Sequence, residues 1–188
     1  MHLLDYTHEI TQPILDGTAD IVIPRRNPRL FKESYPGYMR TSELRVSAIY
    51  DRLMQRAGLM ASNQSFDWFF GPVVFKNDPE IVALFLKQYD TDGSITSRIG
   101  GAPNPQMHSN GHYFPIIEAL FLGRRVVSVE IPFVYPPMQL ANETSPEKET
   151  VFRQIREKNA ASYLLEAIHL LAHLQGDPRS KIAEALSP

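Results

Sequence analysis

Thr11-Gln-Pro-Ile-Leu-Asp-Gly-Thr-Ala-Asp-Ile-Val-Ile-Pro-Arg-Arg26 is the stretch from which the fold is read. It has the form of a helix end, a turn at Gly17, a short strand at Asp20–Ile23 and two arginines at the strand's C-terminal end. The turn calls for a residue that tolerates the left-handed backbone region, which glycine does. The strand is apolar and β-branched, as strands covered on both faces of an α/β sheet are. Upstream, His8–Leu15 reads as a short helix with Thr7 as its N-cap; Pro13 inside it marks either a kink or the true helix start.

Outward from this unit the chain alternates helix and strand signals. Pro24–Gly37 reads as a loop, with Pro24, Pro28 and Pro36 spaced among Arg25, Arg26, Arg29 and Lys32. Thr41 or Ser42 then caps a helix to about Ala57, ended by Gly58, with Leu44, Val46, Ile49, Leu53 and Met54 along one stripe. Phe66–Phe75 is aromatic and β-branched and reads as a strand with a sharp turn at Gly71-Pro72. Asp78 and Pro79 open a helix as N-cap and first residue. Asp90–Gln106 is a long loop punctuated by glycine and proline.

Pro115–Leu122 reads as a helix stopped by Gly123, and Val126–Phe133 as a strand stopped by Pro132, Pro136 and Pro137. Ser145-Pro146-Glu147 opens a long helix to about Leu174, closed by Gly176 and Pro178. The tail Arg179–Pro188 reads as a last short helix. The expectation is one domain over residues 1–188: a mixed α/β fold, with helices packed on a small sheet of Asp20–Ile23, Val73–Phe75 and Val126–Ile131.

Composition bounds the function. The chain has 188 residues, 43% hydrophobic and 21% charged, which suits one domain with a real core. A net charge of −2 gives no electrostatic reason to expect nucleic acid. With no cysteine, thiolate nucleophiles, thiolate metal sites and disulfides are excluded. No run reaches the ~18 apolar residues of a membrane span. Met-His-Leu-Leu-Asp at the start has neither the basic nor the apolar region of a signal peptide, so a cytoplasmic location is the expectation.

Four constellations can carry chemistry. In Asp67-Trp-Phe-Phe-Gly-Pro72 a carboxylate stands beside the chain's one tryptophan before a glycine turn. Asp67 suits a hydroxyl, Trp68 the face of a sugar ring, and Gly71 a close backbone approach; the other reading makes the aromatics core and Asp67 a turn cap. In His108-Ser-Asn-Gly-His-Tyr113 two histidines four residues apart can converge on a metal or phosphate, or can be plain polar surface. Arg25 and Arg26 at a strand's C-terminal end suit a diphosphate or carboxylate, whereas Arg29, Lys32, Arg40 and Arg45 read as solvated. His169 and His173 share a helix face, but no glutamate of a zinc-protease motif lies between them.

The order of these pieces resembles the acceptor-side half of GT-A glycosyltransferases, of the family-2 type and of the retaining glucosyl- and mannosyl-glycerate synthases. The carriers are "GTADIVIPRR", "DWFFGPVVFKND", "GHYFPIIEALFLGRRVVSVEIPFVYPPMQLANE" and "FRQIR", spanning about Thr11 to Arg156. Ile116–Pro132 is the most specific module. The resemblance implies that Arg25 and Arg26 lie near the donor and that Trp68, Gly71, His108 and Tyr113 line the acceptor site. It further implies that His112 and Asp67 stand at the transfer centre, with His112 also a metal ligand. It implies a nucleotide sugar and a small acceptor as partners, and a divalent metal, magnesium or manganese. The D-x-D that this family carries ahead of the first strand of the acceptor side is not matched; Asp5 is a single leftover carboxylate. The expected chain is therefore inactive or very weak alone; the alternative is a non-enzymatic ligand- or partner-binding domain. A hydrolase built on the two histidines lacks an identifiable nucleophile. A sheet edge near Asp20–Ile23, together with an apolar stripe on the long helix from Val151 to Leu171, points to a homo-oligomer.

Overall fold

The computed structural model of the protein describes residues 3–89 and 112–175, without the side chains of 146–147, 157–163, 173 and 175. A short 3-10 turn, Leu3–Tyr6, runs into α1, Thr7–Leu15. Thr7 does not cap the helix; its hydroxyl donates to the carbonyl of Leu4, and Pro13 is accommodated inside. Then come β1 (Ile21–Arg26), α2 (Pro28–Ser34), α3 (Gly37–Arg56), β2 (Val74–Phe75) and α4 (Pro79–Leu86). Beyond residue 111 follow α5 (Phe114–Phe121), β3 (Val126–Ile131), α6 (Pro137–Glu143) and α7 (Pro146–Gln175).

The sheet is mixed, with order β2-β1-β3. β1 and β3 are parallel, in register from Ile21 opposite Val126 to Arg26 opposite Ile131. β2 is antiparallel to β1 and pairs only with Ile21 and Val22. The three expected strand segments therefore meet in one sheet. β1 is its centre, not an open edge; the strands bordered on one side only, among the described residues, are β2 and β3. The start of β1 is tied to the start of β3 by Asp20, whose carboxylate accepts from the Arg125 amide at 2.9 Å and from its guanidinium at 3.1 Å.

Pro24 does not end β1. Its missing N–H matters little because β2 stops at the pair with Val22, so Pro24 has a neighbour on the β3 side alone. The strand therefore runs on to Arg26. The expected loop to Gly37 is mostly helix: the Asn27 side chain accepts from the amides of Arg29 and Leu30, and Pro28 fills the first helical position. α3 likewise begins at Gly37, upstream of Thr41 and Ser42. The expected strand at Phe66–Phe75 is strand only at Val74–Phe75. Asp78 does cap α4, accepting from the Glu80 amide. Gly123, at φ +72°, ends α5 where its amide donates to Leu120 and the next amide to Ala119.

The main core joins Ile21, Ile23 and Val126 to one face each of α3, α5 and α7. Trp68, Tyr50, Tyr113 and Phe114 fill its centre, with Trp68 and Tyr50 ring centroids 5.2 Å apart. A second cluster sets Tyr6 and Ile10 against Val74, Val129 and Ile131. A third gathers Phe31, Tyr35, Tyr38, Met39 and Tyr135 where α2, α3 and the segment after β3 meet. Along α7, Ile168 and Leu171 are buried in the chain's own core, whereas Val151 and Ile155 are exposed. The apolar stripe expected to need an external partner is thus partly used internally. No helix among the described residues is long and apolar enough to cross a membrane.

Candidate functional site

The C-terminal end of β1 delivers Arg26 into the interior, its side chain only 3% exposed. A buried guanidinium must find anions and acceptors, and here they come from two distant segments. Nε and Nη2 donate to the two Asp67 oxygens at 2.7 and 2.6 Å, a bidentate fork, and the Arg26 amide donates to the same carboxylate at 3.1 Å. Nη1 forms a buried ion pair with Glu43 Oε2 at 2.8 Å. Arg156 of α7 donates to Glu43 Oε1. Three rings enclose the Arg26 cation: Phe31 at 4.1 Å, Tyr35 at 4.8 Å and Phe70 at 5.2 Å from their centroids.

The electrostatics follow. Burial works to strip Arg26 of its proton, but Asp67 and Glu43 outweigh it and raise its affinity for the proton above the ordinary arginine value. Burial pushes Glu43 above the usual carboxylate range, offset in part by Arg26 and Arg156. Burial also raises Asp51, with the Trp68 and Phe66 donors opposing. Asp51 Oδ1 accepts from the Trp68 indole at 2.8 Å and from the Phe66 amide at 3.1 Å.

Beside this network lies a half-open cleft of about 600 Å³, bounded by the end of β1, α2, residues 40–51 of α3 and residues 65–67. Arg26, Glu43, Asp51 and Asp67 contribute to its wall, and Arg25, Lys32 and Arg40 bring positive charge to it. Arg25 is held by Glu130 at 3.1 Å, and Glu130 also accepts from Asn27 at 2.7 Å. Such a concave, mostly apolar space with a few convergent polar groups has the form of a small-molecule site.

Several residues proposed from sequence stand differently here. Arg26 and Asp67 are brought together, but each is used by the other rather than held free for a phosphate or a hydroxyl. Trp68 is 2% exposed and its N–H is spent on Asp51, so it offers no face to a sugar. Tyr113 is 1% exposed, packed at 5.5 Å from Tyr50 and 5.6 Å from Phe69. Both are core residues, because the aromatic runs around them supply the centre of the fold. Gly71 and His112 do meet: a Cβ built on Gly71 would lie 3.7 Å from His112 Cε1. Neither lines the cleft. His108 lies outside the described residues, as does Asp90-Thr-Asp92, the chain's one D-x-D pattern.

Glu43, Asp51 and Arg156 were not singled out by sequence. A signal existed for Glu43: it precedes Val46, Tyr50 and Leu53 by three, seven and ten residues, the spacing of a buried helix face. A carboxylate on such a face must be paired. Among the described residues no three histidine, aspartate or glutamate side chains are grouped to hold a metal. The carboxylates nearest the cleft are already neutralised by guanidinium groups or held by neutral donors. A divalent ion does not fit this set. Comparison of the chain with protein families, curated proteins and solved structures gave no match.

Proposed function

We propose that the chain is the acceptor-side part of a glycosyltransferase, and that the cleft beside Arg26 receives the small acceptor of a hexose carried by a nucleotide sugar. The observation that carries this reading is the junction of the two segments named by the resemblance. The end of "ADIVIPRR" and the start of "DWFFGP" are locked to each other through Arg26 and Asp67, directly beside a ligand-sized cleft. In this reading Arg26 and Asp67 are positioning residues that fix the cleft wall, while Arg25 and Lys32 meet an anionic part of the ligand. In this reading the chain supplies the acceptor side, and alone it transfers sugar weakly or not at all.

The test is transfer of labelled hexose from UDP-glucose or GDP-mannose to a panel of sugars and hydroxy acids. It is run with the chain from Met1 and with the same chain extended by the coding sequence upstream. Transfer only in the extended form is the expected result; no transfer in either form refutes the reading. A second reading, a binding domain without activity, is favoured by the mutual engagement of Arg26 and Asp67, which leaves neither for chemistry. It predicts cleft ligands without turnover in both forms.

A further inference from the structure

The first turns of α3 and α7 run side by side. Two contacts fix that alignment: the Tyr38 hydroxyl donates to Glu143, at the end of α6, at 3.5 Å, and Arg156 donates to Glu43. Between these ties lies a second half-open cavity, of about 380 Å³. α3 lines it with Thr41, Ser42 and Arg45, and α7 with Glu149 and Arg153. Thr41 and Arg45 are four residues apart, as are Glu149 and Arg153, so each pair shares one face over a single turn. The wall holds two guanidiniums and one carboxylate, and the charges do not balance. Glu149 accepts from Arg153 at 2.8 Å, whereas the exposed Arg45 side chain has no partner among the described residues. The Thr41 hydroxyl is spent on the Gly37 carbonyl at 3.1 Å. The Ser42 hydroxyl has no partner among the described residues and is free to donate.

We infer that this cavity binds a phosphate dianion, which Arg45 meets from α3 and Arg153 from α7, with the Ser42 hydroxyl donating to a further oxygen. The planar donors of a guanidinium match phosphate oxygens two at a time, and two such groups on facing helices suit one dianion. Glu149 is the internal competitor. The Arg153 side chain is 56% exposed, so its pair with Glu149 is weak and Arg153 turns from the carboxylate to the ligand at small cost. The inference is independent of the acceptor-site reading. Thr41 borders both the acceptor cleft and this cavity, but Arg45 and Arg153 line this cavity and not the cleft. A bound phosphate bridges α3 to α7 three residues before Arg156, whose contact with Glu43 closes the Arg26 network. The ligand therefore acts as an effector that strengthens this junction, because an anion bound only by the folded chain stabilises it by mass action.

The full chain is titrated calorimetrically with inorganic phosphate and with phenyl phosphate, at an ionic strength held constant with sodium chloride. Phosphate should bind saturably at one site. Arg45→Gln and Arg153→Gln, both at exposed positions, should each weaken it about tenfold or more, the worth of a hydrogen bond between charged groups. Glu149→Gln removes the competing carboxylate and should tighten phosphate about threefold or more, a gain that neither a general salt effect nor lost structure produces. Lys32→Gln, at the exposed rim of the acceptor cleft, should leave phosphate binding unchanged. Phosphate should raise the melting temperature of the wild type and raise that of Arg45→Gln less. Phenyl phosphate binding more tightly than inorganic phosphate assigns the site to a phosphate ester, and equal binding assigns it to the free ion; both keep the site. No saturable binding by about 10 mM phosphate overturns it. So does wild-type affinity in Arg45→Gln, or weaker binding in Glu149→Gln. Loss of phosphate binding in Lys32→Gln places the anion in the acceptor cleft and overturns the inference as well.

Discussion

Arg26→Met removes the cation that three elements share while keeping an unbranched side chain among Phe31, Tyr35 and Phe70. The substitution leaves Asp67 with its bidentate partner gone and Glu43 with Arg156 alone. Breaking a buried ion pair from one side costs about 3–5 kcal/mol, since the remaining charge stays buried without compensation. Urea unfolding followed by the fluorescence of Trp68, buried in the main core, reports this directly. With a slope near 2 kcal/mol per molar urea, the midpoint should fall by roughly 1.5–2.5 M. The pH dependence has a definite sign. Burial already holds Glu43 above its unfolded value, so its ionised form opposes folding at neutral pH and the opposition fades as pH falls through its folded value. Losing Arg26 raises Glu43 further, so the penalty of Arg26→Met should be largest near neutral pH and shrink in acid. The triple variant Arg26→Met, Glu43→Gln, Asp67→Asn, which strands only the one-third-exposed Arg156, should regain at least half of the loss, roughly 1.5 kcal/mol or more. A single-variant penalty under about 1 kcal/mol, or one that grows as pH falls, refutes the charge argument. A triple variant as unstable as the single one assigns the cost to packing.

Other outcomes are as specific. Asp20 is held below the usual carboxylate range, first by the Arg125 hydrogen bonds, so its contribution is present above the unfolded value of about 3.9 and is lost as pH falls below it. Arg125 is half exposed, which discounts the pair; Asp20→Asn should cost about 1 kcal/mol in urea at neutral pH and next to nothing in strong acid, and an equal cost at both refutes the pairing. Gly71 sits at φ +100°, so Gly71→Ala should cost about 1–3 kcal/mol in a thermal melt, and an unchanged melting temperature would show that the turn is not as described. Val151 and Ile155 leave an exposed apolar strip on α7; sedimentation equilibrium should show a homodimer that Val151→Glu with Ile155→Glu dissociates, and a wild-type monomer at high concentration removes the association.

Local chemistry was enough to read some features from the chain. Asp78 before Pro79, Gly123 after α5 and the β-branched runs at Ile21 and Val126 act through their own backbone or near neighbours, so their signals survive in one dimension. The three strand segments and the long helix from Pro146 were legible for that reason. Asn27-Pro28 was equally legible as a cap and first turn, but the surrounding prolines and arginines gave it the look of a loop. Pro24 could not be judged locally, because whether its missing N–H matters depends on how far β2 extends along β1.

The site belongs to the tertiary structure. The sequence by itself determined that arginines follow β1 and that a carboxylate stands beside the tryptophan. It could not determine that Arg26 turns inward to Asp67, forty-one residues away, or that Glu43 and Arg156 close the same network. Nor could it decide that Trp68 and Tyr113 are core while Asp51, on a helix read only for its apolar stripe, lines the cleft. Burial of a side chain is set by the elements that pack around it, and those come from distant parts of the chain. A residue type states which interactions a side chain can make; only the packed fold decides which partner it meets and which group is left facing the open space.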